Sequence, residues 1–297
     1  MIEAEDEFYS YRENKKGFDD KKRKLEASLR AVKKKQYKRM QDVLERLKES
    51  ENAEQNKIKG ELLTANLYRL ERGMKECTLE NWYEPDCPKI KITLDELLSP
   101  QKNAQKYFKL YNKQKRAKEI LTPMLKTEQA ESEYLESVSS SIELAEKMED
   151  FKEIEEELIS IGVLRAPKER AGAKKKQIET PFREYEFQGF RIYAGRNNVQ
   201  NDRLLRLANP SDMWLHTQKY HSSHVIIVRD GREIPDEVLG FASEICAYYS
   251  DGRNGDKIPV DYCERRFVKK PSKAKAGFVV YTDYKTVLVT PNAHKNG

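Results

Sequence analysis

The stretch Asp212-Met213-Trp214-Leu215-His216, followed by His221-Ser222-Ser223-His224, places an acid, an indole and three of the chain's four histidines within 13 residues. Its alternation reads as a β-strand, and a period of two puts Asp212, Trp214 and His216 on one face as a polar, aromatic row. A metal site needs three or four convergent ligands, but no HExxH, cysteine pair or second carboxylate accompanies these histidines. Ser223, His216 and Asp212 can be assembled into a triad, yet no nucleophile-elbow glycines surround the serine. Neither a metal, a cofactor nor an enzymatic activity is therefore expected. Two readings stay open: a buried network with the Trp in the core and the Asp fixing the His tautomer, or one wall of a binding surface.

Two further motifs favour the binding surface. Gly195-Arg196-Asn197-Asn198-Val199-Gln200-Asn201-Asp202 joins a strand to a helix, and its glycine turn, arginine, amides and helix N-terminus suit phosphate or sugar hydroxyls. Ordinary N-capping by Asn197 or Asn198 is the plainer account of the same residues. Arg265 to Lys275 carries six basic residues and no acid, among them Lys269 and Lys270. With Arg196, Asn197, Asn201, Asp212, Trp214, His216 and His224, these lysines make a basic, aromatic surface suited to structured RNA, where phosphate and 2′-OH contacts dominate.

The elements that position these residues form a compact α+β domain over 180–297. Strands are expected at 183–187, 190–194, 213–217, 224–228, 260–268, 277–281 and 287–290, and helices at 198–207 and 235–249, with a mixed or largely antiparallel sheet. A basic linker, 165–179, precedes it. Residues 1–164 read as a long antiparallel helical coiled-coil arm: one helix from about Glu5 to Lys75, a small tip hairpin at about 77–98, and a second helix from about Pro100 to Ile161. Reflection about position 88 sets Lys15 to Arg39, with 12 basic and 3 acidic residues, opposite an acidic stretch, 128–157, with 12 acidic and 2 basic. That opposition reads as a salt-bridged register. The same reflection puts Pro123 opposite Glu49 to Asn56, where both helices are expected to bend together. Near the tip, Gln101 to Lys118 carries seven basic residues and no acid, interleaved with Tyr107, Phe108 and Tyr111. The candidates there are Lys109, Lys113, Lys115 and Arg116, either as a grip on phosphates or as solvated lysines over locally packed aromatics.

With 36% charged residues and a mean hydropathy of -0.88, the chain is too polar for one compact globule, and its net charge of +6 hides strong local asymmetry. The four cysteines have neither disulfide-framework nor zinc-site spacing, which fits a reducing cytoplasm. No apolar run reaches the ~20 residues of a membrane span, and MIEAEDEFYS is too acidic for a signal peptide, so a soluble intracellular protein with no membrane partner is expected.

These motifs together resemble the NFACT family of ribosome quality-control factors, the bacterial RqcH or fibronectin-binding protein A-like proteins. GRNNVQND, DMWLH and SHVII resemble the signature blocks of its RNA-binding module, NFACT-R, over about Thr180 to Pro291. GELLTANLY and LSPQKNAQKYFKLYNKQKRA are similar to its coiled-coil middle region. One departure is His221-Ser222, where the family often has Pro-Gly; another is that nothing corresponds to the family's N-terminal NFACT-N domain, so the chain resembles a C-terminal half. The resemblance implies a non-catalytic fragment of a factor that binds large ribosomal subunits holding peptidyl-tRNA. It further implies recruitment of alanyl-tRNA for mRNA-independent alanine tailing, with the helical tip on ribosomal RNA and the stalk base. The alternative it carries is a surface adhesin binding fibronectin or fibrinogen.

Overall fold

The computed structural model describes residues 2–166 and 180–294, with side chains from Asn14 onward; most of the expected linker, 167–179, lies outside the described residues. The chain divides into two compact units, Met1–Lys34 with Ser132–Gly297, and Lys35–Glu131. Its helices begin with α1 (Ile2–Ser50) and α2 (Ala53–Ala65), followed by a hairpin of β1 (Glu76–Glu80) and β2 (Lys89–Thr93), then α3 (Pro100–Glu143) and α4 (Asp150–Ser160).

In the Lys35–Glu131 unit, β1 and β2 pair antiparallel with Cys77 opposite Ile92, and Leu62, Leu63, Leu79, Ile92, Leu94 and Ala104 form the core. Gly60 lies under the Phe108 ring, where a Cβ would stand a tight 3.1 Å from it. Tyr107 donates its hydroxyl to the Thr93 carbonyl at 2.6 Å. Both aromatics therefore make local contacts. Side-chain hydrogen bonds cross between helices here: Asn56 donates to Gln114 Oε1 at 2.7 Å and Gln36 to Glu128 Oε2 at 2.5 Å. The first helix breaks at Glu51 and Asn52, opposite Pro123 in the expected register, and α3 remains helical through Pro123. Pro123 is exposed, so the carbonyl that its missing N–H leaves free faces solvent at little cost. In the turn between β1 and β2, Asp86 and Cys87 adopt φ values of 68° and 47°, and the Cys87 thiol is exposed.

In the other unit, Leu25 and Leu29 pack against Tyr134, Leu135, Val138, Ile142, Phe151, Ile154 and Leu158. Part of the charge opposition is realised as ion pairs, Lys33 to Glu136 and Lys21 to Glu155, each 2.5 Å. The second helix does not run unbroken to Ile161, because Asp150 Oδ2 accepts the amides of Glu146 and Lys147 at 2.8 and 3.0 Å and stabilises a turn in place of helical bonds.

The same unit holds β3 (Arg183–Phe187), β4 (Phe190–Ala194), α5 (Asn198–Leu207), β5 (Met213–Thr217), β6 (Val225–Ile227), α6 (Asp236–Tyr248), β7 (Ile258–Glu264), β8 (Val268–Lys269), β9 (Val280–Tyr281) and β10 (Lys285–Val289). Six strands make one antiparallel sheet in the order β10-β7-β5-β6-β4-β3, and β8 pairs with β9. The alternating apolar residues of β4, β5 and β6 bury Ile192, Ala194, Leu215, Val225 and Ile227 beneath α6, which contributes Val238, Ala242, Ile245 and Cys246. The opposite face carries Trp214, Ile226 and Cys263, covered by Leu204 and Leu205 of α5 and by Val268 and Tyr281. The single strand expected over 260–268 is divided by a 3-10 turn at Arg265–Phe267, because the Arg265 and Arg266 amides leave the ladder for the carbonyls of Asp212 and Pro210.

Candidate nucleic-acid interface

The strand-to-helix motif is mostly committed inside the protein. Asn197 caps α5, its side-chain oxygen accepting the Gln200 amide at 2.8 Å, and it donates to Glu153 Oε2 at 2.9 Å. Arg196 pairs with Asp150 at 3.1 Å and donates to the Pro181 carbonyl. Asn201 accepts the His224 backbone amide at 3.0 Å, an approach open only because Gly195 has no Cβ to collide with Asn201 Oδ1. Asn198 donates to Ser137 Oγ and to Glu157 Oε1. Arg196, Asn197 and Asn198 face an acidic row on α4, in which Asp150, Glu153 and Glu157 are all buried.

Glu153 is well satisfied, taking Thr180 N, Arg203 and Asn197 as donors. Glu157 is not: Tyr134 and Asn198 bond Oε1, while Oε2 is buried without a partner. Burial raises its pKa against the opposing pull of those two donors. Arg183 completes the contact, lying 3.9 Å from the Tyr249 ring centre and donating to the carbonyls of Leu144 and Gly195.

The Asp-Trp-His row is realised in part. Trp214 and His216 share a face of β5, their rings parallel within 3° and 5.7 Å apart, and His224 meets both edge-on at 5.3 and 5.5 Å. Asp212 stands just before the strand, and its carboxylate accepts the backbone amides of Asn209 and Arg229 at 2.7 and 3.0 Å rather than orienting His216. Trp214 and His224 are buried, whereas His216 keeps part of its surface open. Desolvation lowers the pKa of His216 to about 4 and that of His224 well below its ordinary value, so both imidazoles are neutral at physiological pH. Ser223 donates to the Gly195 carbonyl at 2.6 Å. Among the described residues, no group of three or more His, Cys, Asp or Glu is placed to hold a metal ion.

Lys269 is exposed on β8, and Lys270 pairs with Asp202, whose other oxygen accepts the Gly277 amide. Lys109, Lys113, Lys115 and Arg116 are exposed on α3, while Lys106 pairs with Asp95 at 3.0 Å. The sequence reading missed Arg183, Asp261 and Tyr281. Asp261, opposite His216 in the β5–β7 ladder, accepts the hydroxyls of Tyr281 and Thr286 at 2.8 and 2.6 Å. A buried acid inside an otherwise apolar strand pattern was the available signal for it.

The comparisons fall on both the helical segments and the α+β domain. Residues 1–177 match the family described as NFACT N-terminal and middle domains, and residues 181–283 match the NFACT protein RNA binding domain. The chain belongs to the NFACT family. Its relatives in that family include "Rqc2 homolog RqcH" of Bacillus subtilis (strain 168), 37% identical over 296 residues, which are 99% of this chain and 51% of that protein. The protein of the same name from Streptococcus pneumoniae serotype 2 (strain D39 / NCTC 7466) is 36% identical over 293 residues, 96% of this chain and 52% of that one. The chain thus spans about half the length of these curated NFACT relatives. A solved structure, the C-terminal of the fibronectin/fibrinogen-binding protein from Streptococcus suis, matches with a TM-score of 0.70 at 31% identity, covering 93% of this chain and 96% of that one. No helix among the described residues of this NFACT chain is long and apolar enough to cross a membrane.

Proposed function

We propose that this chain is the RNA-binding part of a cytoplasmic ribosome quality-control factor, and that it acts without catalysing a reaction itself. The observation that carries the reading is the match of residues 181–283 to the NFACT RNA binding domain, in a chain whose curated relatives are named Rqc2 homolog RqcH. Two exposed basic segments support it: Lys269 and Lys273 beside the sheet, and Lys109, Lys113, Lys115 and Arg116 on α3. Exposed, unshielded cations of this kind bind nucleic acid through phosphates.

In this reading the factor docks on a large ribosomal subunit holding peptidyl-tRNA. The α3 cations meet ribosomal RNA at the stalk base, and the α+β domain meets tRNA or ribosomal RNA. Alanyl-tRNA is recruited, and the subunit's own peptidyl-transferase centre extends the stalled chain with alanine. Of the candidate residues, Lys269 serves phosphates, Lys270 is engaged by Asp202, and His216 is the part-exposed member of the ring cluster. Arg196, Asn197, Asn201 and Asp212 act by holding the surface in place through the bonds described above.

The test is binding of the chain to large subunits and to tRNA across a salt series. The expected result is affinity that falls steeply with salt, with a slope reduced by about 1 for each phosphate-contacting lysine removed. A second reading, fibronectin or fibrinogen binding, takes its support from the name of the Streptococcus suis structure. Tight fibronectin binding with no salt-dependent RNA binding would replace the first reading by the second.

A further inference from the structure

The ring cluster on the face of the sheet away from α6 differs in chemistry from the basic segments near it in the chain. Trp214 Nε1 and His224 Nδ1 are both buried and have no hydrogen-bond partner, which is uncommon for buried polar atoms. Two such atoms in rings that touch each other mark a place built for a polar neighbour. His216 stacks flat on Trp214 and is the part-exposed member of the three. Its ring contacts both Trp214 and His224, so it borders the unpartnered nitrogens and is the one of the three with surface to offer a ligand.

The row of rings continues outward. Tyr281 packs on Trp214 at 4.8 Å, and Tyr284, 47% exposed, meets Tyr281 at 5.2 Å. The cluster is unsuited to phosphate, since its imidazoles are neutral and Asp261 lies opposite His216 in the ladder. Cations suited to a flanking backbone lie along the same segment of chain, where Lys269, Lys273 and Lys285 are exposed. Neutral polar edges and stacked rings flanked by lysines are the features that bind an unpaired base and its phosphates.

We propose that His216, Trp214, His224 and the outer ring Tyr284 form a recess for an unpaired nucleobase of single-stranded or looped RNA. The base stacks on the exposed rings, its polar edge meets the unpartnered nitrogens after a small movement of His216, and its phosphates lie on the adjacent lysines. The inference rests on the RNA reading above and deepens it, because it separates base contact from phosphate contact.

The experiment uses the full 297-residue chain with Trp82→Phe, which leaves Trp214 as its single tryptophan. The probes are an RNA hairpin with an unpaired loop and the same hairpin with abasic ribose linkers in the loop, which carries equal charge. The intact loop is expected to change Trp214 emission and to bind about tenfold more tightly than the abasic one, the scale of a stacked base. His216→Ala and Tyr284→Ala, each checked for an unchanged unfolding midpoint, are expected to lose most of that preference while keeping the salt dependence. His216→Phe keeps the stack and is expected to recover part of it. Equal binding of the two RNAs by the parent chain, or a preference that survives both alanine changes, overturns the recess and leaves RNA binding through phosphates intact. Absence of binding to either RNA at low salt overturns the RNA reading together with the recess.

Discussion

Arg196 Nη1 lies 3.1 Å from Asp150 Oδ1, joining the turn before α5 to the first residue of α4 through a nearly enclosed ion pair. Breaking a buried pair by removing one partner is costly, because the remaining charge stays desolvated. Arg196→Ala is expected to destabilise the protein by about 3 kcal/mol, the low end for such pairs, since Asp150 retains two backbone amides at its other oxygen. Urea unfolding of the variant checks this, and a midpoint equal to the parent's would remove the pair from the account.

Glu157 offers the opposite outcome. Its pKa is raised by burial, so its contribution to stability is full below the unfolded value and is lost as pH rises through the folded one. Glu157→Gln keeps an acceptor for Tyr134 and Asn198 and removes the buried charge. The variant is expected to melt higher than the parent, with the gain present at neutral pH and fading in acid. Melting temperatures at several pH values measure it; a lower melting temperature at neutral pH would contradict it.

The two desolvated histidines set an acid limit. His216 has its pKa depressed to about 4, so the unfolded chain takes up a proton near 6.5 while the folded one does not. Stability from this group is complete above about 6.5 and is lost as pH falls toward about 4, a loss of ~3 kcal/mol that His224 increases. Denaturant titrations between these limits should show a steeper fall for the parent than for His216→Phe. Parallel curves would disprove it.

Removing charge from α3 should separate binding from folding. Lys109, Lys113, Lys115 and Arg116 are exposed, and surface substitutions of this kind change stability within about 0.5 kcal/mol. The fourfold alanine variant is expected to keep the parent's melting temperature and to lose affinity for large subunits with a shallower salt slope. Unchanged affinity would discard this part of the surface.

Local periodicity made most of this architecture readable. The alternation in β3 to β6, the helical spacing of Val238, Ala242, Ile245 and Cys246, and the opposed charges behind Lys33–Glu136 and Lys21–Glu155 each report on neighbours in sequence or on a simple fold-back. What periodicity could not show was which way each acid faces. Asp150, Glu153 and Glu157 were counted with the acids opposing the first helix, yet their spacing of three and four places them together, toward Arg196, Arg203 and Asn197. The consequence reaches the candidate site, where Arg196 and Asn197 look like ligand-binding groups until the acids they serve are located. Trp214 and His216 were correctly placed on one face, but Tyr281 and Asp261 join them from strands far along the chain, and spacing carries no record of such contacts.

The cysteines differ enough to be of practical use. Thiolate is the reactive form, and burial pushes Cys246 up to about 12 and Cys263 to about 11, which leaves both inert at neutral pH. Cys77 is half-buried and also raised, whereas Cys87 sits exposed in the turn between β1 and β2. A maleimide dye added to the unmodified chain should therefore attach first at Cys87, giving a native reporter on the hairpin that signals when a bound particle comes against it.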